Sequence, residues 1–315
     1  MSEPRSRPDP SDPRHDLPDP GHRLPDPGHR LPDPGFSLPD LGHVDLDGTT
    51  VATRILEPVG RPARADVVLC HGTPWSSLVW GPVAHRLVDD GYRVLLWDMP
   101  GYGRSAAPAD VPVGLDHQMA RFAALLRHWR LDGLPHVVAH DIGGAVALGA
   151  HLLHDAGFAS LFLWDVVALE PWGSPFFRLV AEHEEVFAAL PGPLHRALVR
   201  EYVAGAARHR LSPEWVEALT EPWTDAGLPA FYRQTAQLSP AHTRPVVSRL
   251  AELRCRAGIG WGAQDPWLPV DQAARLQRAL PGDPPVTVLD DVGHLAPVEA
   301  PAAVHHALAD WLAAG

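Results

Sequence analysis

From about His43 the chain alternates apolar and polar positions, with Val44, Leu46, Val51 and Ile55 set among polar residues on either side of the Asp47-Gly48 pair. Period-two alternation across an Asp-Gly turn predicts an antiparallel hairpin at one edge of a sheet. The pattern then changes. Short apolar runs at residues 67–70, 93–97, 135–139 and 161–164 are separated by helical spacing near 83–90, at 117–129 and behind Asp141. Fully apolar strands alternating with amphipathic helices predict an α/β fold with a mainly parallel sheet, helices on both faces and functional loops at the carboxyl ends of the strands. Between residues 170 and 243 the strand pattern stops, and 176–190, 194–206, 213–219 and 229–238 read as helices separated by Pro and Gly. The chain returns to the core at 246–253 and continues as a strand ending at Gly262, a helix over 272–280, a strand over 286–289 and a last helix over 301–312.

Ahead of the hairpin lies a different kind of sequence. Leu17-Pro18-Asp19-Pro20-Gly21-His22 recurs at 24–29 and 31–36 and imperfectly at 38–43, a repeat too short and too Pro-rich for a solenoid unit. Each proline removes a backbone donor and blocks helix continuation, so residues 1–42 are expected to form a disordered, extended tail. The 315 residues carry a formal net charge of -12 and contain no lysine, which argues against a nucleic-acid surface and a polybasic membrane patch and removes Schiff-base and Walker-lysine chemistry. The two cysteines, Cys70 and Cys255, suggest neither a disulfide framework nor a metal motif. No apolar run approaches bilayer length and no signal-peptide core is visible, so a cytoplasmic protein is expected, without cofactor or metal.

The candidate chemistry sits at His140-Asp141-Ile142-Gly143-Gly144, a strand, a sharp turn and a helix with a carboxylate at the apex. Small residues at 139 and 143 keep side chains out of a strained bend that pushes the apex residue forward as a nucleophile. Its place at a helix N-terminus favours the ionised form. A carboxylate suits displacement at saturated carbon, which leaves an ester with the protein for water to cleave. Three further strand ends follow in a consistent order: His71-Gly72-Thr73-Pro74 after 67–70, Asp265 after Gly262, and Gly293-His294 after 286–289.

Together these segments resemble the alpha/beta-hydrolase fold and, within it, the branch of epoxide hydrolases and haloalkane dehalogenases, over about residues 43–315. The resemblance implies a mainly parallel eight-stranded sheet built from 43–169 and 244–315, with a helical cap at 170–243 inserted after the sixth strand. It implies Asp141 as nucleophile and His294 as the base that activates water. The group that orients His294 is Asp265, whose loop matches the commoner family pattern, or Asp165, which matches the alternative one. Thr73 and Ile142 are expected to supply oxyanion N–H groups. Tyr232 resembles the cap tyrosine that stabilises a leaving group; Phe176 and Phe177 stand about where the second donor of epoxide hydrolases is expected, with Tyr202 and His183 as weaker substitutes for it and Trp75 and Trp172 as further indole donors. Ile142 replaces the tryptophan usual in haloalkane dehalogenases, and no arginine follows Asp141 to hold a haloacid. The function implied is therefore hydrolysis of a small to medium apolar epoxide, with water as the only other partner. Haloalkane or haloacid dehalogenation is the alternative, and a ligand-binding or lyase member of the fold the further one. Oligomeric state is left open.

Overall fold

The computed structural model describes residues 26–30 and 38–314. Its centre is an eight-stranded sheet among the described residues. We number the strands β1 (Gly42–Leu46), β2 (Thr49–Leu56), β3 (Asp66–Cys70), β4 (Arg93–Trp97), β5 (His136–His140), β6 (Ser160–Trp164), β7 (Arg256–Gly262) and β8 (Val286–Leu289). Their spatial order is β8-β7-β6-β5-β3-β4-β2-β1. β1 and β2 form the expected hairpin, β2 runs antiparallel to β4, and all other pairings are parallel. The fold class is the one expected from the sequence.

Register decides where the chemistry collects. Cys70 pairs with Ala139, His140 with Trp164, and Trp164 with Gly260. The residues that follow β3, β5, β6 and β7 therefore leave one edge of the sheet side by side. Helices α1 (Gly81–Asp89) and α12 (Pro301–Ala313) pack together, as do α2 (Leu115–Trp129) and α3 (Ile142–His154), which covers both faces. α10 (Asp271–Ala279) and the short α11 (Ala296–Glu299) complete the core. The central parallel strands are mainly apolar because both faces are covered: in β3, Val67, Val68, Leu69 and Cys70 are all fully buried.

Between β6 and β7 the chain is mainly helical, with α4 (Pro175–Glu182), α5 (Glu184–Ala188), α6 (Gly192–Ala204), α7 (Pro213–Thr220), α8 (Leu228–Ala236) and α9 (Pro240–Val247). Two details differ from the sequence reading. The helix expected over 176–190 breaks at His183, whose φ of -139° is not helical. The break folds Phe187 back onto Phe176 at 5.8 Å between rings, so aromatic packing overrides continuous helical spacing. The return to the core, expected to begin near Val246, is preceded by α9, which spans that boundary.

Most of the repeat expected as a disordered tail, residues 1–25 and 31–37, lies outside the described residues. Asp26–Arg30 is an extended strand paired in parallel with His209–Arg210. The hairpin begins at Gly42, the last residue of the expected tail, and Leu38 packs against the core. No described helix is long and apolar enough to cross a membrane.

Candidate active site

Asp141 occupies the tip of the β5-to-α3 turn with φ 54° and ψ -128°. A side chain at positive φ costs roughly 1–3 kcal/mol and persists only where the surroundings hold it. Here the backbone does so: Asp141 N donates to Trp164 O (3.2 Å), while Asp141 O accepts from Gly144 N (2.9 Å) and Val167 N (3.0 Å). Space around the carboxylate comes from two glycines. A Cβ on Gly72 would lie 2.4 Å from Asp141 Oδ2, and one on Gly143 would lie 2.4 Å from His71 O.

The two carboxylate oxygens face different partners. Oδ2 accepts the Thr73 backbone N–H at 2.7 Å. Oδ1 faces His294 Nε2 at 3.9 Å, too far for a hydrogen bond and close enough for strong attraction in a buried site. The opposite ring nitrogen, Nδ1, is 2.7 Å from Asp265 Oδ2. Asp265 is fixed in turn by the Trp267 and Leu268 N–H groups, which donate to Oδ1 at 2.7 and 2.9 Å. The side chains of His294 and Asp265 have no solvent exposure. Burial works against a charged imidazole at His294, but the carboxylates of Asp265 and Asp141 outweigh it and hold the pKa well above the ordinary histidine value.

Asp165, the other aspartate considered for orienting His294, is not hydrogen-bonded to it. Its Oδ1 accepts the Gly262 N–H at 2.7 Å, and its Oδ2 is buried without a partner. Burial, reinforced by the Asp265 charge, drives its pKa well above the carboxylate range. His140 braces the histidine loop: its Nε2–H donates to His294 O at 2.7 Å. His71 stays neutral because burial lowers its pKa; Nε2 accepts from Met99 N at 2.9 Å while Nδ1–H donates to Gly72 O at 2.8 Å.

The sequence-derived donors separate clearly. Tyr232 is buried, and its hydroxyl lies 2.9 Å from His195 Nδ1. Because His195 Nε2 must donate to Trp223 O (2.7 Å), Nδ1 is the acceptor and takes the Tyr232 proton. Trp172 Nε1 donates to Thr243 Oγ1 at 3.1 Å, and His183 is exposed at the break between α4 and α5. Tyr202 is differently placed. Burial and the Asp141 charge together raise its pKa well above normal, and its hydroxyl has no hydrogen-bond partner among the described residues. It stacks on Trp267 at 4.8 Å, Trp267 stacks on Trp75 at 5.6 Å, and Trp267 also lies against His294 at 4.9 Å. Phe176 and Phe177 flank Tyr202 at 5.2 and 6.2 Å. The Trp75 indole N–H is buried without a partner. Ile142 is buried and opens α3 directly behind Asp141.

Tyr102, Trp267 and Gln234 were not singled out from the sequence. Tyr102 follows the carboxyl end of β4, a position that alone marks it as a site candidate, and burial and the charge of Asp141 raise its pKa. Gln234 lies two residues beyond Tyr232 on α8, about 200° around the helix, and so points elsewhere. Among the described residues no group of His, Cys, Asp and Glu converges as a metal ion would require.

Comparison with known proteins bears on this arrangement. The Alpha/beta hydrolase family profile matches residues 67–307. The chain belongs to the alpha/beta hydrolase family. A crystal structure of an alpha/beta hydrolase fold protein from Burkholderia ambifaria is 37% identical with a TM-score of 0.80, covering 87% of this hydrolase and 99% of that chain. Epoxide hydrolase A of Mycobacterium tuberculosis is 26% identical over 322 residues, 85% of this chain and 96% of that protein. An epoxide hydrolase of Caballeronia sordidicola is 31% identical over 119 residues, a match that spans 38% of this chain and only 35% of that relative.

Proposed function

We propose that this alpha/beta hydrolase is an epoxide hydrolase that works through an ester on Asp141, with residues 170–243 serving as a cap over the site. The observation that carries the reading is the division of labour between the two oxygens of Asp141. Oδ2 is held by Thr73 N–H, which leaves Oδ1, on the His294 side, as the attacking oxygen. Attack on an epoxide carbon forms the Oδ1–carbon bond and breaks the ring carbon–oxygen bond. The ring oxygen leaves as an alkoxide that takes a proton from the Tyr202 hydroxyl, which has no competing acceptor.

Alkylation also changes His294. In the free site the Asp141 charge helps to keep the imidazole protonated; the ester is neutral, so part of that support disappears. The imidazole proton returns to the Tyr202 phenolate left by ring opening, and neutral His294 then accepts one from a water attacking Cγ of Asp141, while Asp265 holds Nδ1–H and the tautomer. The tetrahedral oxyanion forms on Oδ2, where Thr73 N–H already lies, with the Ile142 N–H at the head of α3 as the second donor. Collapse breaks the Cγ–Oδ1 bond, the departing alkoxide takes the proton held by His294, and the acid left at Cγ returns its proton to the imidazole, which frees the diol and regenerates the carboxylate.

Dehalogenation keeps one observation in its favour: the unpartnered Trp75 indole N–H in the aromatic stack beside His294 could hold a departing halide. The decisive experiment is a single turnover in heavy-oxygen water with an epoxide and a haloalkane of similar shape, followed by mass analysis of the peptide containing Asp141. Label in Asp141 with the epoxide is expected. Label only in the product would refute the ester, and label with the haloalkane accompanied by halide release would transfer the assignment to dehalogenation.

A further inference from the structure

Gln234 reaches from α8 down to the turn that holds Asp141. Its Oε1 accepts the Tyr102 hydroxyl at 2.5 Å and the Thr73 hydroxyl at 3.1 Å. The orientation of the amide is decided locally. Gln234 Nε2 donates to Thr235 Oγ1 at 3.0 Å, and Thr235 spends its own proton on Phe231 O at 2.8 Å, so Thr235 offers the amide only lone pairs. Oε1 must therefore face the two hydroxyls, and both must donate to it. Gln234, Tyr102 and Thr73 are 1%, 1% and 3% exposed, which makes an unpaired group at this point costly.

Thr73 is also the residue whose N–H sits on Asp141 Oδ2. Anchoring its side chain restrains the peptide that carries this donor. The Tyr102 proton is committed as well, which leaves Tyr202, of the two phenols under the Asp141 charge, with a proton to offer.

We propose that Gln234 is a positioning residue that ties the helical segment to the oxyanion turn and keeps the Thr73 N–H on Asp141 Oδ2. Its consequence for ester hydrolysis rests on the aspartyl-ester reading; its hold on the turn does not. A donor displaced by a fraction of an ångström loses much of its value to a transition state, and the loss falls on the step that places charge on Oδ2.

The test compares Gln234→Met, which removes the acceptor at similar length, with Gln237→Leu, which breaks another contact of the same segment with the core, Val113 N to Gln237 Oε1 at 2.8 Å. Hydrogen exchange of the peptide covering residues 72–75 and single-turnover kinetics of the Asp141 adduct are followed in each. Gln234→Met should raise exchange in that peptide and slow ester hydrolysis on the order of 10- to 100-fold, with a smaller change in alkylation. Gln237→Leu should alter neither, Gln234→Glu should restore protection of the turn, and Thr73→Val should add little to Gln234→Met. Unchanged exchange and hydrolysis in Gln234→Met, or equal losses in both variants, would overturn the proposal. No adduct in the wild type, with the exchange difference intact, would sink the ester reading and leave the positioning role standing.

Discussion

The turns at the edge of the sheet and the helices above them place their functional groups by different means. Asp141, Thr73, Asp265 and His294 stand within one or a few residues of a strand end, and their backbones are pinned by hydrogen bonds to neighbouring strands or loops. Tyr202 and Gln234 reach the same place at the ends of long side chains, held by ring stacking and by one amide. Few torsions separate the first group from a rigid sheet, whereas several separate the second from theirs. The difference predicts that substitutions at the sheet edge abolish a chemical step, while substitutions in the helices grade it.

The largest effects should therefore come from the edge. His294→Gln should still alkylate but lose ester hydrolysis by on the order of 10³- to 10⁴-fold, seen as a persistent mass increase on the Asp141 peptide. Asp265→Asn should slow the same step by a comparable factor through the wrong histidine tautomer. Asp165→Asn, which keeps an acceptor for Gly262 N–H at a carboxyl not bonded to His294, should leave turnover within a few-fold; the reverse ranking would exchange their roles.

In the helices, Tyr202→Phe should lower the alkylation rate on the order of 10²-fold without affecting hydrolysis of a preformed ester. Equal loss from Tyr232→Phe would erase the distinction between these tyrosines.

The seam between the two regions is sensitive to pH. Glu299 on α11 accepts the Arg208 and His209 N–H groups from the connection between α6 and α7, at 2.8 and 3.3 Å. Burial raises its pKa from 4.5 to about 7 against the pull of those donors. The folded protein then keeps a proton that the unfolded chain releases, so this contribution is complete below about pH 4.5 and is lost as pH rises to about 7. The loss amounts to about 3 kcal/mol. Melting temperature measured across that interval should fall more in the wild type than in Glu299→Gln.

The smallest effect belongs to Tyr232→Phe, where His195 loses a buried donor: about 1 kcal/mol of stability, read by denaturant unfolding, with epoxide turnover unchanged.

Much of this edge is legible in the chain because it is local. Residues 139–144 carry a small-residue bend with an acid at its tip, and only a few conformations of a strand-to-helix turn accommodate it. The apolar runs at 67–70, 93–97 and 161–164 fall on β3, β4 and β6 because a strand buried on both faces leaves an unmistakable pattern. The helices gave up less. Tyr232 resembles a cap tyrosine in the sequence, but which face of α8 looks toward the turn that holds Asp141 depends on what α8 packs against, and Gln234 has that face.

By itself, the sequence determined the α/β alternation, the order of the strand-end motifs and the aspartate at the turn, since each depends on residues adjacent in the chain. Tertiary structure alone decided two further matters: that Asp265 rather than Asp165 bonds His294, and that the Tyr232 hydroxyl is taken up by His195. These depend on distances and desolvation between segments far apart in sequence, such as the 2.7 Å from His294 to Asp265. Composition and periodicity hold no record of such distances; the register of the sheet and the seating of the helices upon it create them.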